Sequence, residues 1–166
     1  MQKWIDRINR PITFLLMVLM AGIVVDVTWQ VVSRFIVRRP SSFSEELAGF
    51  LLIWIGLLGA AYAYYTRAHL GIDILTGRLK GAGKRLVEII SHSAVFLFAL
   101  FVMVVGGIRL VRLTFTLRQI SPALHIPIGY VYLVIPLAGV LIMLYAVRFI
   151  VHAGKPAPST DHLGVD

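Results

Sequence analysis

Asp26 is the one carboxylate set inside a long apolar run of this chain. Gly22, Asp26, Gln30 and Arg34 follow at intervals of four, so on a helix they share one face. An ionisable group in such a run is a functional candidate, and the chemistry it would offer is proton or cation relay. A relay needs a second buried carboxylate, and no other apolar run supplies one, so the expected role of the stripe is packing against a partner helix. The histidines pass a similar test. His92 alone lies within an apolar run, while His69, His125, His152 and His162 fall in connections or the tail. Haem held between helices requires two facing axial ligands at one depth, and no such pair is spaced for it. No His or carboxylate spacing fits a zinc site, and the absence of cysteine removes thiolate chemistry. Gly81-Ala82-Gly83-Lys84 has part of a phosphate loop, but Arg78 stands where the first glycine belongs and Arg85 where Ser/Thr belongs. Neither catalysis nor a cofactor is expected.

What must position these groups is four apolar segments. Residues 47–66, 89–108 and 126–147 contain no Asp, Glu, Lys or Arg, and residues 11–33 only Asp26. Each approaches the roughly 20 residues that carry a helix across a bilayer. Backbone polar groups in hydrocarbon must be satisfied internally, so these segments are expected as helices. The fold class that follows is an all-α integral membrane protein. Its domain occupies residues 1–153, with spans at about 11–34, 46–66, 85–110 and 127–150, and a disordered cytoplasmic tail at 154–166. The basic start, Lys3, Arg7 and Arg10, resembles a signal peptide, but no small-residue cleavage site follows and the run is long enough to span. It is read as a retained first helix.

Composition agrees: 58% of residues are hydrophobic and 14% charged, outside the soluble range. The net charge of +8 could suggest nucleic acid, yet the basic residues sit at the ends of apolar runs, where they set topology and meet lipid headgroups. With the N-terminus inside, the cytoplasmic side holds Lys3, Arg7, Arg10, Arg67, Arg78, Lys80, Lys84, Arg85, Arg148 and Lys155. The other side holds Arg34, Arg38, Arg39, Arg109, Arg112 and Arg118. That excess places both termini in the cytoplasm. Trp4, Trp29, Tyr62, Tyr64, Tyr65, Tyr130 and Tyr132 lie near span ends, as an interfacial belt would.

Ser42-Phe43-Ser44-Glu45 fits a capping box, with Ser42 as N-cap of the second helix and Glu45 reaching back. Nothing stops the third helix between Lys84 and Arg118, a run of roughly 50 Å against a hydrocarbon core of about 30 Å. It is expected to tilt or emerge, displaying Arg109 and Arg112 one turn apart, with a bend at Gly106-Gly107. Pro127 is expected to open the fourth helix and Pro136 to kink its interior. On the second helix Gly49, Gly56, Ala60 and Ala63 form a small-residue face, suited to close helix approach.

Arg34-Phe35, Phe43-Ser44-Glu45-Glu46-Leu47, Trp54, Gly59-Ala60, His69 and Asp73 resemble the small membrane subunit of tripartite ATP-independent periplasmic (TRAP) transporters. So does Ser121-Pro122-Ala123-Leu124-His125-Ile126-Pro127, with Tyr130, Tyr132 and Pro136. The match runs through most of the chain in order. Phe43 departs from it where Trp is usual, and Gly129 where an aromatic is frequent.

The resemblance implies a bacterial inner-membrane scaffold with no transport path of its own. It implies a separate large transport subunit that carries substrate and sodium. It also implies a periplasmic solute-binding protein that delivers an organic anion, a carboxylate or an acidic sugar. Glu45 and Glu46 would cap the second helix, one of them pairing with Arg34 or a third-helix arginine. His69 and Asp73 would order the inner connection. Two rivals from other classes are a small four-helix proton-coupled drug exporter using Asp26 and a haem-bearing electron-transfer subunit.

Overall fold

A computed structural model describes residues 2–36, 41–66 and 82–153 of the chain. Six helical segments follow in order. They are α1 (Gln2–Phe35), α2 (Ser42–Tyr65), α3 (Ala82–Phe98), α4 (Gly107–Thr116), α5 (Gly129–Tyr132) and α6 (Val134–Ala153). A π-helical stretch, Ala99–Gly106, joins α3 to α4 without a break. Four stretches are long and apolar enough to cross a membrane: Asn9–Phe35, Ser42–Tyr65, Arg85–Thr116 and Gly129–Val151. Among the described residues there is no strand, only an isolated bridge between Ile120 and Pro127. The protein is an all-α, four-span membrane protein.

Several local expectations shift at the helix ends. The first helix starts at Gln2 rather than near Pro11, and Pro11 sits inside it. The second helix is capped by Ser41, not Ser42. Ser41 takes an extended backbone (φ −98°, ψ 101°) and its hydroxyl accepts the amide of Ser44 at 3.4 Å. Glu45, freed from the expected reciprocal box, turns instead to Arg34. The fourth span opens at Gly129, not Pro127, and breaks at Leu133 before α6 begins. Pro136 causes that break, lying in the first turn of α6 rather than its interior. It offers no N–H to Tyr132, and its ring crowds that carbonyl.

The third span is long, as expected, and Gly106 and Gly107 mark the return from π to α. Gly107 is buried, where an added Cβ would lie 3.0 Å from side-chain atoms of both Ile135 and Pro136. Gly139 is tighter still. Its missing Cβ would fall 2.7 Å from the Met103 Cβ and 3.3 Å from the Val104 amide nitrogen. The π-helical stretch and α6 therefore touch almost backbone to backbone.

The spans do not close into a four-sided bundle. Among the described residues α1 packs along α2, α2 along α6, and α6 along α3 and the π-helical stretch. The order in space is first, second, fourth, third: a row with two broad faces. The core lies where the central members meet. Tyr64, Tyr145, Ala146 and Phe149 form one cluster, and Ala99, Met103 and Ala138 another. Tyr64, expected in an interfacial belt, is 5% exposed and belongs to that core. The first span is least enclosed, with Met17, Val24, Val25 and Trp29 more than half exposed.

Candidate functional site

Three features hold the polar and small residues singled out above. The first is a latch between α1 and α2. Asp26, 8% exposed, accepts a hydrogen bond from the Gln30 Nε2 at 3.0 Å, and the same nitrogen donates to the Ser44 carbonyl at 2.9 Å. Ser33 donates to the Gln30 carbonyl at 3.0 Å. The helical interval of four places Asp26 under Gln30, and the long amide spans the gap between helices. Both hydrogens of one amide nitrogen are thereby used. Further out, Arg34 meets Glu45 at 3.3 Å, with the side chains 64% and 55% exposed. A pair so open adds at most about 1 kcal/mol. A cavity of about 120 Å³ lies beside it, lined by Gln30, Ser33, Arg34, Ser41 and Glu45 among others.

The second feature is a staple across the membrane end of the row. Glu46 does not cap its own helix; one carboxylate oxygen accepts the amides of Ala123 (2.8 Å) and Leu124 (3.2 Å). These lie in the connection between the third and fourth spans. That connection folds tightly on itself: Ser121 N donates to Ile126 O at 2.9 Å and Ile128 N to Gln119 O at 3.0 Å. Arg118 (φ 49°) and His125 (φ 56°) adopt left-handed conformations at its two sides. Pro127 is part of this fold, paired opposite Ile120, instead of a helix start. Gly129 follows, where a Cβ would come within 2.7 Å of the Phe115 ring. An aromatic side chain at that position would displace Phe115, which packs edge-on against Tyr130 at 5.3 Å.

The third feature is the outward side of α2. Gly49, Gly56 and Ala60 are exposed, and nothing lies within 4 Å of a Cβ built on Gly49 or Gly56. Trp54 is half-buried. Arg109 and Arg112 are exposed on the third span and pair with neither glutamate, since Arg34 takes Glu45 and backbone amides take Glu46. His69 and Asp73 lie outside the described residues.

The structure adds two polar contacts that sequence reasoning missed. Tyr64 Oη and His92 Nδ1 share a hydrogen bond of 2.7 Å, and the imidazole stacks on Phe149 at 5.0 Å. His92 thereby links the second and third spans and rests on the fourth. Tyr145 donates to the Asn9 Oδ1, tying the fourth span to the start of the first. Asn9 gave no signal because it stands among charges outside the apolar run. The His92 signal was present, one histidine in a span, but its partner was assigned to an interfacial belt. Among the described residues no group of three His, Asp or Glu side chains is placed to hold a metal. The arrangement joins helices and leaves apolar faces open.

A family model for tripartite ATP-independent periplasmic transporters, DctQ component, matches residues 23–154. The chain is 32% identical over 99 residues to the C4-dicarboxylate TRAP transporter small permease protein DctQ of Rhodobacter capsulatus, covering 60% of this chain and 43% of that protein. It is 24% identical over 135 residues to a putative TRAP transporter small permease protein of Haemophilus influenzae, covering 81% and 82%. It is also 29% identical over 125 residues to the isethionate TRAP transporter permease protein DctMQ of Oleidesulfovibrio alaskensis. That match covers 72% of this chain but 20% of the longer protein.

Proposed function

Because this chain belongs to the DctQ component family of TRAP transporters, we propose that it is the non-catalytic brace of such a transporter in the inner membrane. Its partner is a large transport subunit that moves an organic anion with sodium. A periplasmic binding protein delivers the anion, a carboxylate or acidic sugar. The names of the relatives support the class of partner and cargo: a small permease protein for C4-dicarboxylates in one case, and a permease protein DctMQ for isethionate in another.

The observation that carries the reading is the open row of spans. A path through a protein needs polar groups around an enclosed space, and here the spans stand side by side with apolar faces outward. The polar groups of α1 and α2 are consumed in holding those helices together. What remains open is shape: Gly49, Gly56 and Ala60 present a shallow strip on α2 into which a helix of the large subunit can settle. In hydrocarbon such close approach, rather than the hydrophobic effect, drives helix association. Both termini lie in the cytoplasm on this reading, so the Glu46 staple and the 117–128 connection face the periplasm and the binding protein.

Co-purification tests it. Gly56→Leu with Ala60→Leu fills the strip while leaving the interior of this chain untouched. The variant should keep its helical content yet lose the large subunit on affinity purification. A complex recovered at undiminished yield would overturn the assignment of that face.

A further inference from the structure

The third span carries a groove that the transport reading does not use. Val105, Ile108, Arg109, Arg112, Leu113 and Thr116 line it, and its volume is about 530 Å³. These positions recur at helical spacing on one side of the span. The opposite side, through Gly107, Val111 and Thr114, is buried. Neither guanidinium makes an ion pair or hydrogen bond among the described residues. Two cations therefore lie beside exposed Leu110, Leu113 and Ile108, with no anion among the described residues to balance them.

Depth identifies what can balance them. Arg85, near the start of the span, and Arg109 are separated by about 36 Å of helix at 1.5 Å per residue. The hydrocarbon core is about 30 Å thick and the bilayer with headgroups about 40–45 Å. With Arg85 in one headgroup layer, Arg109 and Arg112 reach the other, and Val105 and Ile108 stay at the edge of the acyl region. The groove thus runs from apolar to cationic across the boundary where a phospholipid runs from acyl chain to phosphate. Guanidinium groups three residues apart are close enough to share one phosphodiester, and Arg matches its oxygens by bidentate hydrogen bonds.

We propose that this groove is a binding site for one anionic phospholipid. The phosphodiester lies between Arg109 and Arg112, and an acyl chain follows Val105 and Ile108. A net negative headgroup is selected over a zwitterionic one, because a quaternary ammonium would meet two uncompensated cations. The site depends on the membrane fold alone, so it stands or falls independently of the large subunit.

Native mass spectrometry of the purified, delipidated full chain in detergent provides the test, with phosphatidylglycerol, phosphatidylcholine and inorganic phosphate as probes. Phosphatidylglycerol should form a single tight adduct that millimolar phosphate does not displace. Arg109→Gln with Arg112→Gln should weaken it about 25-fold, the product of roughly fivefold per arginine near a lipid surface. Arg109→Lys with Arg112→Lys should retain most of the affinity, and Arg34→Gln all of it. Circular dichroism checks that each variant keeps its helices; if the Gln variant loses them, the Arg109→Gln single variant and the Lys pair are compared instead. Equal binding of phosphatidylcholine, displacement by free phosphate, undiminished binding by the Gln variant, or a dimer that covers Leu113 in place of lipid would each overturn the proposal.

Discussion

Two glycines on neighbouring helices respond oppositely to one added methyl group, and the difference measures which surfaces are filled. Gly139→Ala and Gly56→Ala both gain the helix preference of alanine, about 1 kcal/mol. At Gly139 the methyl carbon arrives 2.7 Å from the Met103 Cβ and 3.3 Å from the Val104 amide nitrogen. Neither atom belongs to the far end of a flexible side chain, so α6 must move away from the π-helical stretch. Overpacking of this kind costs about 1–3 kcal/mol. At Gly56 nothing lies within 4 Å, and the gain is unopposed. The two variants should therefore differ by about 1–3 kcal/mol, with Gly56→Ala the more stable. At about 2–4 °C per kcal/mol for a chain of this length, Gly139→Ala should melt about 2–12 °C lower. Thermal unfolding of the purified chain in detergent, followed by tryptophan fluorescence, reads it directly. A Gly139→Ala protein melting at or above Gly56→Ala would refute the close contact between the third and fourth spans, and with it the row order.

Three further outcomes follow from named contacts. Glu46→Ala removes the acceptor for the Ala123 amide, while the Leu124 amide keeps the Ser121 hydroxyl at 3.1 Å, so hydrogen exchange at Ala123 should accelerate while the spans stay protected; unchanged exchange there would remove the staple. Asp26→Asn keeps an oxygen for the Gln30 amide, so stability should change by less than about 1 kcal/mol, the net worth of one hydrogen bond. Uptake by the assembled transporter should also persist, whereas a proton-relay role for Asp26 requires its loss. Tyr64→Phe deletes the hydroxyl that meets His92 and should cost about 1 kcal/mol in thermal or denaturant unfolding. No cost would mean that the contact does not hold the inner end of the row.

The four spans were legible because bilayer length and freedom from charge are properties of composition, readable without knowing any neighbour. The order of the spans was not. Residues facing lipid are as apolar as those facing protein, so α1 and α6 look alike in sequence although one is largely open and the other central. For the same reason Gly56 and Gly139 read as equivalent small residues, yet one faces outward and the other touches Met103. Helix ends were missed by small margins. Ser41 and Ser42 are chemically identical candidates for one cap, and the position of Pro136 within α6 depended on where that helix began. The Asp26–Gln30 contact was visible as an interval of four, but its reach to Ser44 required knowing that α1 packs along α2. Glu46 could not have been assigned from sequence, because the amides that donate to it lie 77 and 78 residues away on a connection whose fold leaves no simple pattern.

Reconstitution separates a brace from a conductor most directly. Liposomes carrying this chain alone, the large subunit alone, and both together are given an inward sodium gradient, the binding protein and labelled organic anion. The chain alone should pass neither solute nor ions, and uptake should appear only when both subunits are present. Uptake by the large subunit alone at the full rate, or flux through this chain alone that a change at Asp26 abolishes, would contradict the account.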